Sequence, residues 1–337
     1  MTKTLQLKNL TLPSNILYAP LAGCSDYPFR KIGAKYGPGL MFCEMTKMDA
    51  LVRHDAGTYR LLNYCPSMRP IGAQLCGSKL SLARESARII EDLGFDVLDL
   101  NCGCPVDKVT KDGSGSALLK NPELIGEMLS EMVAAVSIPV TVKIRTGWDE
   151  DSLVAPLITQ IAEKAGASAI TIHGRTRAQS YRGNANWAHI AECKKIAKTI
   201  KVIGNGDVFS PEKAAAMFAE TGVDGILVSR GTLGQPYIAE NIRRYLKGEP
   251  LIALQGLVYK ELLLEHLSYI VGYQDERRSL LDIRRVGCWY LKNGVGVKQL
   301  RQSINQAKSV KEVTDLIHSY NWEEAYFKLD STSAEEE

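Results

Sequence analysis

The sequence predicts an α/β protein, with a (β/α)8 TIM barrel over residues 1–248 and a small all-helical domain over residues 249–322. Short β-rich runs alternate with amphipathic helical stretches as far as residue 248. Most of these runs are continuously apolar, as expected for parallel strands covered by helices on both faces. After residue 248 only helical stretches follow. A doubly wound sheet is the competing fold, but eight regular units without a break favour a closed barrel.

The predicted strands follow one another at regular intervals. They begin at Ile16, Leu40, Pro70, Val97, Pro139, Ala169, Lys201 and Gly225. Helices are predicted between them, for example over residues 81–94, 122–136 and 154–166. A further helix begins after Ser210 and ends at Gly222, with a capping serine, a proline at the first helical position and a glycine at the exit.

The charge of the chain is unevenly distributed. The net charge is +3 overall, but residues 243–318 hold 13 Lys and Arg against 8 Asp and Glu, a net of +5. From residue 319 onward one Lys faces six acidic residues, a net of −5. The sequence therefore predicts a basic helical domain and, over residues 323–337, a disordered acidic tail.

The eight cysteines are scattered through 337 residues, and no apolar run is long enough to span a membrane. The N-terminus lacks the charged-then-apolar pattern of a secretory signal. We expect a monomeric cytoplasmic protein with free thiols and no membrane partner.

Polar residues follow the predicted strands at their C-terminal ends, where (β/α)8 barrels carry their active sites. These candidates are Pro20, Leu21, Ala22, Gln74, Asn101, Lys143, Arg145, His173, Arg175, Asn205, Gly206, Asp207, Ser229 and Arg230. The loops after strands seven and eight form the common phosphate site of such barrels, and Asn205–Gly206 and Arg230 offer backbone N–H donors and a fixed positive charge. This suits a monophosphate cofactor. Lys143 can place an ammonium beside a ring that becomes anionic on reduction.

Two thiols, Cys102 and Cys104, follow the fourth strand on a loop with Gly103 and Pro105. No second Cys or His pair lies nearby, so we expect no metal. A disulfide between them would close a strained ring. Alternation predicts that Cys102 packs inward and that Cys104 faces the barrel mouth. A thiol there can act as nucleophile or proton donor, and the lack of an adjacent base in the sequence favours the proton donor.

Several stretches together resemble the tRNA-dihydrouridine synthases of the bacterial type, and within them the B branch. In chain order they read APLAGCSDYPFR, AQLCG, LNCGCPVDKV, GSGSALL, VKIRTGWD, IHGRTRAQSYRGNANW, IGNGDV and RGTLGQP. The resemblance implies an FMN-containing barrel, a helical tRNA-binding domain and NADPH-dependent reduction of a uridine in tRNA.

The resemblance also implies roles for single residues. Cys104 is expected to be the catalytic acid. Gln74, Lys143 and His173 are expected to contact the flavin ring, and Pro20 to Ala22 are expected to line it. The flavin phosphate is expected to bind to Asn205 to Asp207, Ser229 and Arg230. Ser229 departs from the glycine that is usual before this arginine. Contacts with the substrate are expected at Asn101, Arg145, Arg175 and Arg177, and the basic domain adds Arg284 and Arg285.

The resulting hypothesis is a two-step reduction. NADPH reduces FMN, and the flavin then delivers hydride to C6 of a uridine while Cys104 protonates C5. The target base must leave its stack in folded tRNA to reach the mouth. An FMN barrel acting on a free pyrimidine, like dihydroorotate dehydrogenase, is the alternative, but it leaves the basic helices unexplained. A non-catalytic RNA-binding or chaperone module would leave the thiol and the phosphate loops unexplained.

Overall fold

The computed structural model of the protein describes residues 3–252, 255–292 and 294–327. Its strands are β1 (Leu5–Leu7), β2 (Leu10–Leu12), β3 (Ile16–Tyr18), β4 (Leu40–Phe42), β5 (Thr46–Lys47), β6 (Ile71–Cys76), β7 (Val97–Cys102), β8 (Val140–Arg145), β9 (Ala169–His173), β10 (Lys201–Asn205), β11 (Gly225–Val228), β12 (Gly294–Val295) and β13 (Tyr326–Phe327). Strands β3 to β11 form one parallel sheet, in which β4 and β5 both pair with β6. Because β4 and β5 share one position, the sheet closes as an eight-position barrel, and the predicted fold is confirmed.

Helices surround the barrel and form the C-terminal layer. They are α1 (Tyr27–Ala34), α2 (Met48–Val52), α3 (Ala56–Leu61), α4 (Leu80–Asp92), α5 (Asp107–Thr110), α6 (Pro122–Ala135), α7 (Ala155–Lys164), α8 (Trp187–Ile196), α9 (Pro211–Thr221), α10 (Ile238–Lys247), α11 (Gly256–Tyr273), α12 (Glu276–Leu291), α13 (Lys298–Gln306) and α14 (Val310–Ser319). The predicted caps of α9 are present, since Ser210 accepts a hydrogen bond from the Lys213 N–H and Gly222 adopts a φ of 65°.

The hairpin β1–β2, which the sequence pattern did not predict, closes the N-terminal end of the barrel. Leu5, Leu7 and Leu12 are buried in one cluster with residues such as Val97 and Ala169, which begin β7 and β9. This apolar plug leaves the opposite end, where the strands finish, as the open mouth of the barrel. The polar candidates lie at that end.

The C-terminal helices have their own apolar core, which reaches the barrel at Ile32 and Tyr237. Helix α11 packs along α1, where the rings of Tyr27 and Tyr273 stack with centroids 4.6 Å apart. Lys35, which follows α1, also forms an ion pair with Glu265 of α11 at 2.6 Å. The helical layer therefore sits beside the loop that follows β3, close to the barrel mouth.

The acidic tail does not begin at residue 323 as expected. β13 pairs with β12, and Ala325 and Phe327 are buried against the helical core. The Phe327 ring stacks on Tyr259 with centroids 3.5 Å apart. These apolar side chains hold the segment in place because burying them removes apolar surface from water. The disorder expected for 328–337 concerns residues outside the described ones.

Candidate active site

Inward-facing side chains of neighbouring strands form polar layers at the mouth. In one layer Gln74, Asp99 and Thr141 lie directly opposite one another across β6, β7 and β8. Asn101 and Lys143 are paired one step closer to the mouth, because side chains two residues apart share a face of the strand. The outermost layer consists of Arg145, His173 and Asn205. The sequence prediction that these strand ends converge is confirmed.

The loop after β7 presents Cys104 to the mouth. Its N–H donates to Asn101 Oδ1 at 2.9 Å, and its carbonyl accepts from the hydroxyl of Ser116, also at 2.9 Å. Cys104 is half-buried, and its thiol makes no side-chain hydrogen bond to another described residue. Cys102 is fully buried in the core, where burial raises the pKa of its thiol well above the usual value. The predicted split between the two cysteines is confirmed.

A chain of hydrogen bonds connects the loop of Cys104 to the barrel interior. Asn101 Nδ2 donates to Gln74 Oε1 at 2.8 Å, and Gln74 Nε2 donates to Asp99 Oδ2 at 2.7 Å. The Thr141 hydroxyl donates to Asp99 Oδ1 at 2.6 Å. All four of these side chains are buried.

Burial sets the charge states around the mouth. It lowers the pKa of Lys143 to about 8, with Arg145 adding to the effect and Asp99 and Cys104 opposing it. It also lowers the pKa of His173 well below its usual value, helped by the surrounding cations. His173 is therefore a neutral imidazole at neutral pH. Burial raises the pKa of Asp99 to about 6, against the opposing effects of its hydrogen bonds and of Lys143.

Arg145 and Arg175, which were expected as substrate contacts, have guanidinium groups that bond to other parts of the chain. Arg145 is buried and donates to the carbonyl oxygens of Gly103 at 2.9 Å and of Thr176 at 2.7 Å. Arg175 is fully buried and forms a bidentate ion pair with Asp207 at 2.7 and 2.9 Å. Since buried guanidinium groups need such partners, both arginines are committed to fixing loops. Their direct contact with a substrate stays a prediction that this arrangement does not favour.

The ends of β10 and β11 form a compact polar corner. Asn205 Nδ2 donates to the Ser229 hydroxyl at 2.9 Å. Ser229 has a φ of −105°, which lies outside the left-handed region that favours glycine. A Cβ on Gly231 would lie 2.3 Å from the carbonyl oxygen of Val208, so no residue with a side chain fits at this position without a shift of the backbone. Arg230 stands over the Tyr181 ring at 4.8 Å and lies 4.0 Å from Asp207.

The loop after β3 borders the mouth on the side of the helical layer. Pro20 and Leu21 are half-buried and Ala22 is exposed. The N–H of Gly23 donates to the carboxylate of Glu44. A Cβ on Gly23 would lie 3.9 Å from Arg285 Nη1, so α12 reaches this loop.

The other arginines that were expected to contact the substrate differ in the partners they have within the chain. Arg177 pairs with Asp107 and stands 4.6 Å from the Trp148 ring centroid, beside the loop of Cys104. Arg284 donates to the carbonyl of Ala307 at the end of α13. Arg285 pairs with Asp282 at 2.8 Å. Both α12 arginines are half-buried and already have partners within the chain, so their contact with tRNA stays a prediction.

Other cations of the helical layer are exposed. Arg277 and Arg278 of α12 make no ion pair with another described residue, and the exposed Lys292 and Lys298 follow on the same layer. The sequence showed that this region is basic, but not which of its charges would be neutralised by neighbours.

Sequence reasoning assigned no role to several residues at the mouth. They include Asp99, Thr141, Ser116, Trp148 and Tyr181. Asp99 had a signal in the sequence, because a carboxylate stands in an apolar strand two residues before Asn101 and so on the same face. Among residues 3–252, 255–292 and 294–327, no group of three or more His, Cys, Asp or Glu side chains is placed to hold a metal ion. In the same ranges, no helix is long and apolar enough to cross a membrane.

Comparison with known proteins identifies relatives over nearly the whole chain. Residues 17–328 match the family described as dihydrouridine synthase. The chain is 38% identical over 317 residues to a Synechocystis protein named "Probable tRNA-dihydrouridine synthase 1", covering 94% of this chain and 88% of that protein. It is also 38% identical over 303 residues to a Pseudomonas syringae protein named "tRNA-dihydrouridine synthase B", covering 89% of each.

Solved structures share the fold at much lower identity. A histamine dehydrogenase from Rhizobium superposes with a TM-score of 0.57 at 12% identity, covering 80% of this chain and 50% of that one. A morphinone reductase superposes with a TM-score of 0.52 at 14% identity, covering 74% of this chain and 91% of that one. At these identities the likeness supports the barrel fold alone.

Proposed function

The chain belongs to the dihydrouridine synthase family, and from that premise we propose that it reduces uridines in tRNA to 5,6-dihydrouridine. The observation that carries the proposal is the pair formed by Cys104 and Lys143 at the mouth. One offers a half-buried thiol without a side-chain partner, and the other an ammonium that makes no hydrogen bond or ion pair with another described residue. A proton donor and a cation without such partners at the same end of the barrel suit the addition of hydride and proton across a polarised double bond.

The polar groups of the mouth fit FMN. Lys143, Gln74 and His173 lie on adjacent or near-adjacent strands, where they can meet the polar edge of a flavin ring. The charge of Arg230 and the polar pair of Asn205 and Ser229 suit a phosphate at the ends of β10 and β11. When bound, FMN reduced by NADPH supplies the hydride for C6 of the uridine.

The protein's own side chains complete the reaction. Cys104 gives its proton to C5 of the uracil ring. The carbonyl of Cys104 is held by Ser116 and its N–H by Asn101, so the thiol is carried on a fixed loop. The side-chain oxygen of Asn101 accepts the hydrogen bond from this loop, and its amide nitrogen lies 3.6 Å from Met45 Sδ. Because that contact is weak, the second N–H of Asn101 can donate to a uracil carbonyl.

The position of the helical layer supports a polymeric substrate. Exposed cations of α12 and α13 lie on the layer that borders the mouth at the β3 loop. Cations that grip phosphates position a nucleic acid without reading its sequence, while a pocket selects one base. We propose that this layer binds tRNA so that a base turned out of its stack enters the barrel.

A coupled assay tests the proposal. The purified protein is expected to carry flavin and to oxidise NADPH faster when unmodified tRNA is added, because the substrate reoxidises the cofactor. Fully modified tRNA is the control and is expected to have little effect. Stimulation by a free pyrimidine and not by tRNA would overturn the proposal in favour of a free-base oxidoreductase.

A further inference from the structure

The position of the Cys104 loop depends on a directional chain of hydrogen bonds. The chain runs from the backbone N–H of Cys104 through the side chains of Asn101 and Gln74 to Asp99 and then Thr141. Its four side-chain members are all buried, and the most exposed of them, Asn101, shows only 7% of its surface. Water therefore cannot readily substitute for a missing member.

The direction of this chain follows from chemistry at its two ends. A backbone N–H can only donate, so the Asn101 atom that faces Cys104 must be the oxygen. The Asn101 atom that faces Gln74 is then the NH2 group, and Gln74 must present its oxygen to it. The NH2 group of Gln74 consequently faces Asp99, which must accept. An ionised carboxylate has only acceptors, so it permits this one orientation and excludes its reverse.

We propose that Asp99 is a positioning residue, which fixes the amide orientations of Gln74 and Asn101 and so holds the Cys104 loop for proton transfer. If the amides reversed, the NH2 group of Asn101 would face the N–H groups of Cys104 and Gly103, so that donors would meet donors. The loop would then leave its position. The inference rests on the proposed function, because its measured consequence is dihydrouridine formation.

Two other roles for Asp99 predict different results. As a counter-charge for Lys143, it would lose its effect whenever its negative charge is removed. As a purely structural core residue, it would change stability without changing the activity of the folded protein. The positioning role depends instead on the acceptor atom that faces Gln74, whether or not that atom is charged.

A double-mutant cycle separates these roles. In Asp99→Asn the introduced amide oxygen can accept from Gln74 while the amide nitrogen donates to Thr141, whose hydroxyl can turn to the Leu98 carbonyl at 3.5 Å. Thr141→Val alone leaves the carboxylate as acceptor. In the double variant the amide nitrogen introduced at position 99 has lost the Thr141 oxygen as its acceptor in the productive orientation, so reversal of the amides is no longer disfavoured at this end of the chain. Single-turnover dihydrouridine formation is measured per bound flavin at about pH 8, where Asp99 is ionised in the wild type.

Each single variant is expected to retain dihydrouridine formation within about threefold of the wild type, while the double variant falls by roughly tenfold to a hundredfold, the range for one unsatisfied buried group. An effect of Asp99→Asn alone as large as that of the double variant would overturn the inference in favour of the counter-charge. Additive effects that follow the melting temperature would overturn it in favour of a structural role. Wild-type protein that forms no dihydrouridine would mean that the proposed function itself fails.

Discussion

Gly115 and the carbonyl of Cys104 are in such close contact that a Cβ at residue 115 would lie 2.8 Å from that oxygen. Gly115 has a φ of +62°, and the turn it makes lets the segment from Gly115 to Lys120 pack beneath the Cys104 loop. A backbone oxygen cannot move aside as a flexible side chain can. A side chain at residue 115 would therefore displace the backbone of Cys104 and, with it, the thiol.

Gly115→Ala is expected to reduce dihydrouridine formation by roughly 10- to 100-fold, because displacement of a reacting group by about 1 Å can cost that much. Gly222→Ala is the matched control, since Gly222 has a φ of +65° but no atom of a described residue within 4 Å of its Cβ position. Both variants carry the same backbone strain of about 1 kcal/mol. Equal activities of the two variants, measured by nucleoside analysis of the tRNA, would show that the contact with Cys104 has no catalytic consequence.

Cys104→Ala is expected to leave flavin binding and NADPH oxidation by oxygen largely intact, because neither needs the thiol. Dihydrouridine formation should fall by roughly 10²–10⁴, the usual cost of losing a general acid. Cys102→Ala serves as the control, since its thiol is fully buried in the main apolar core. Similar losses in both variants, measured in single turnovers with reduced enzyme, would refute the assignment of the acid to Cys104.

Lys143→Ala is expected to lower the midpoint potential of the bound flavin, because the ammonium attracts the reduced, anionic form most strongly. The shift should be roughly 30 to 90 mV at about pH 7, corresponding to about 1.4 to 4 kcal/mol. The pKa of Lys143 is lowered to about 8, so the wild type loses its positive charge as the pH rises through that value. The difference between the two proteins should therefore shrink above about pH 8. Redox titrations across this range check it, and a constant difference would place the effect elsewhere.

Arg277→Glu/Arg278→Glu is expected to weaken tRNA binding by roughly tenfold or more at low salt. The slope of log affinity against log salt should fall by roughly two, since each phosphate contact releases about one counterion. The matched control is Lys195→Glu/Lys198→Glu, which changes the charge equally on exposed residues near the start of β10, opposite the mouth. Filter-binding titrations at several salt concentrations measure both slopes. Equal slopes for the two variants would exclude this part of α12 from the tRNA interface.

The barrel strands could be predicted because most of them are continuous apolar runs. Such a run indicates a buried strand whichever helices pack against it. The β1–β2 hairpin could not be predicted, because each of its strands has only three residues. The three buried leucines of the hairpin are covered only when they pack against the end of the folded barrel. The strand β13 was missed for a similar reason. Phe327 gains its place by stacking on Tyr259, which lies 68 positions earlier in the sequence.

The candidate site was predictable to the level of strand ends, but not to the level of individual bonds. Gln74, Asn101, Lys143 and His173 converge as expected because parallel strands deliver their last residues to one face. The ion pair of Arg175 with Asp207 joins residues that are 32 positions apart in the sequence. A sequence alone does not show whether the donors of an arginine already have partners within the chain.

The most direct test of the central claim is nucleoside mass analysis of unmodified tRNA after incubation with the purified flavin-loaded protein and NADPH. Dihydrouridine should appear, heavier than uridine by two hydrogen atoms, and it should be absent when NADPH is omitted. The Cys104→Ala protein should yield far less in the same time. Consumption of NADPH without any dihydrouridine in the tRNA would contradict the proposal that this barrel reduces uridines in tRNA.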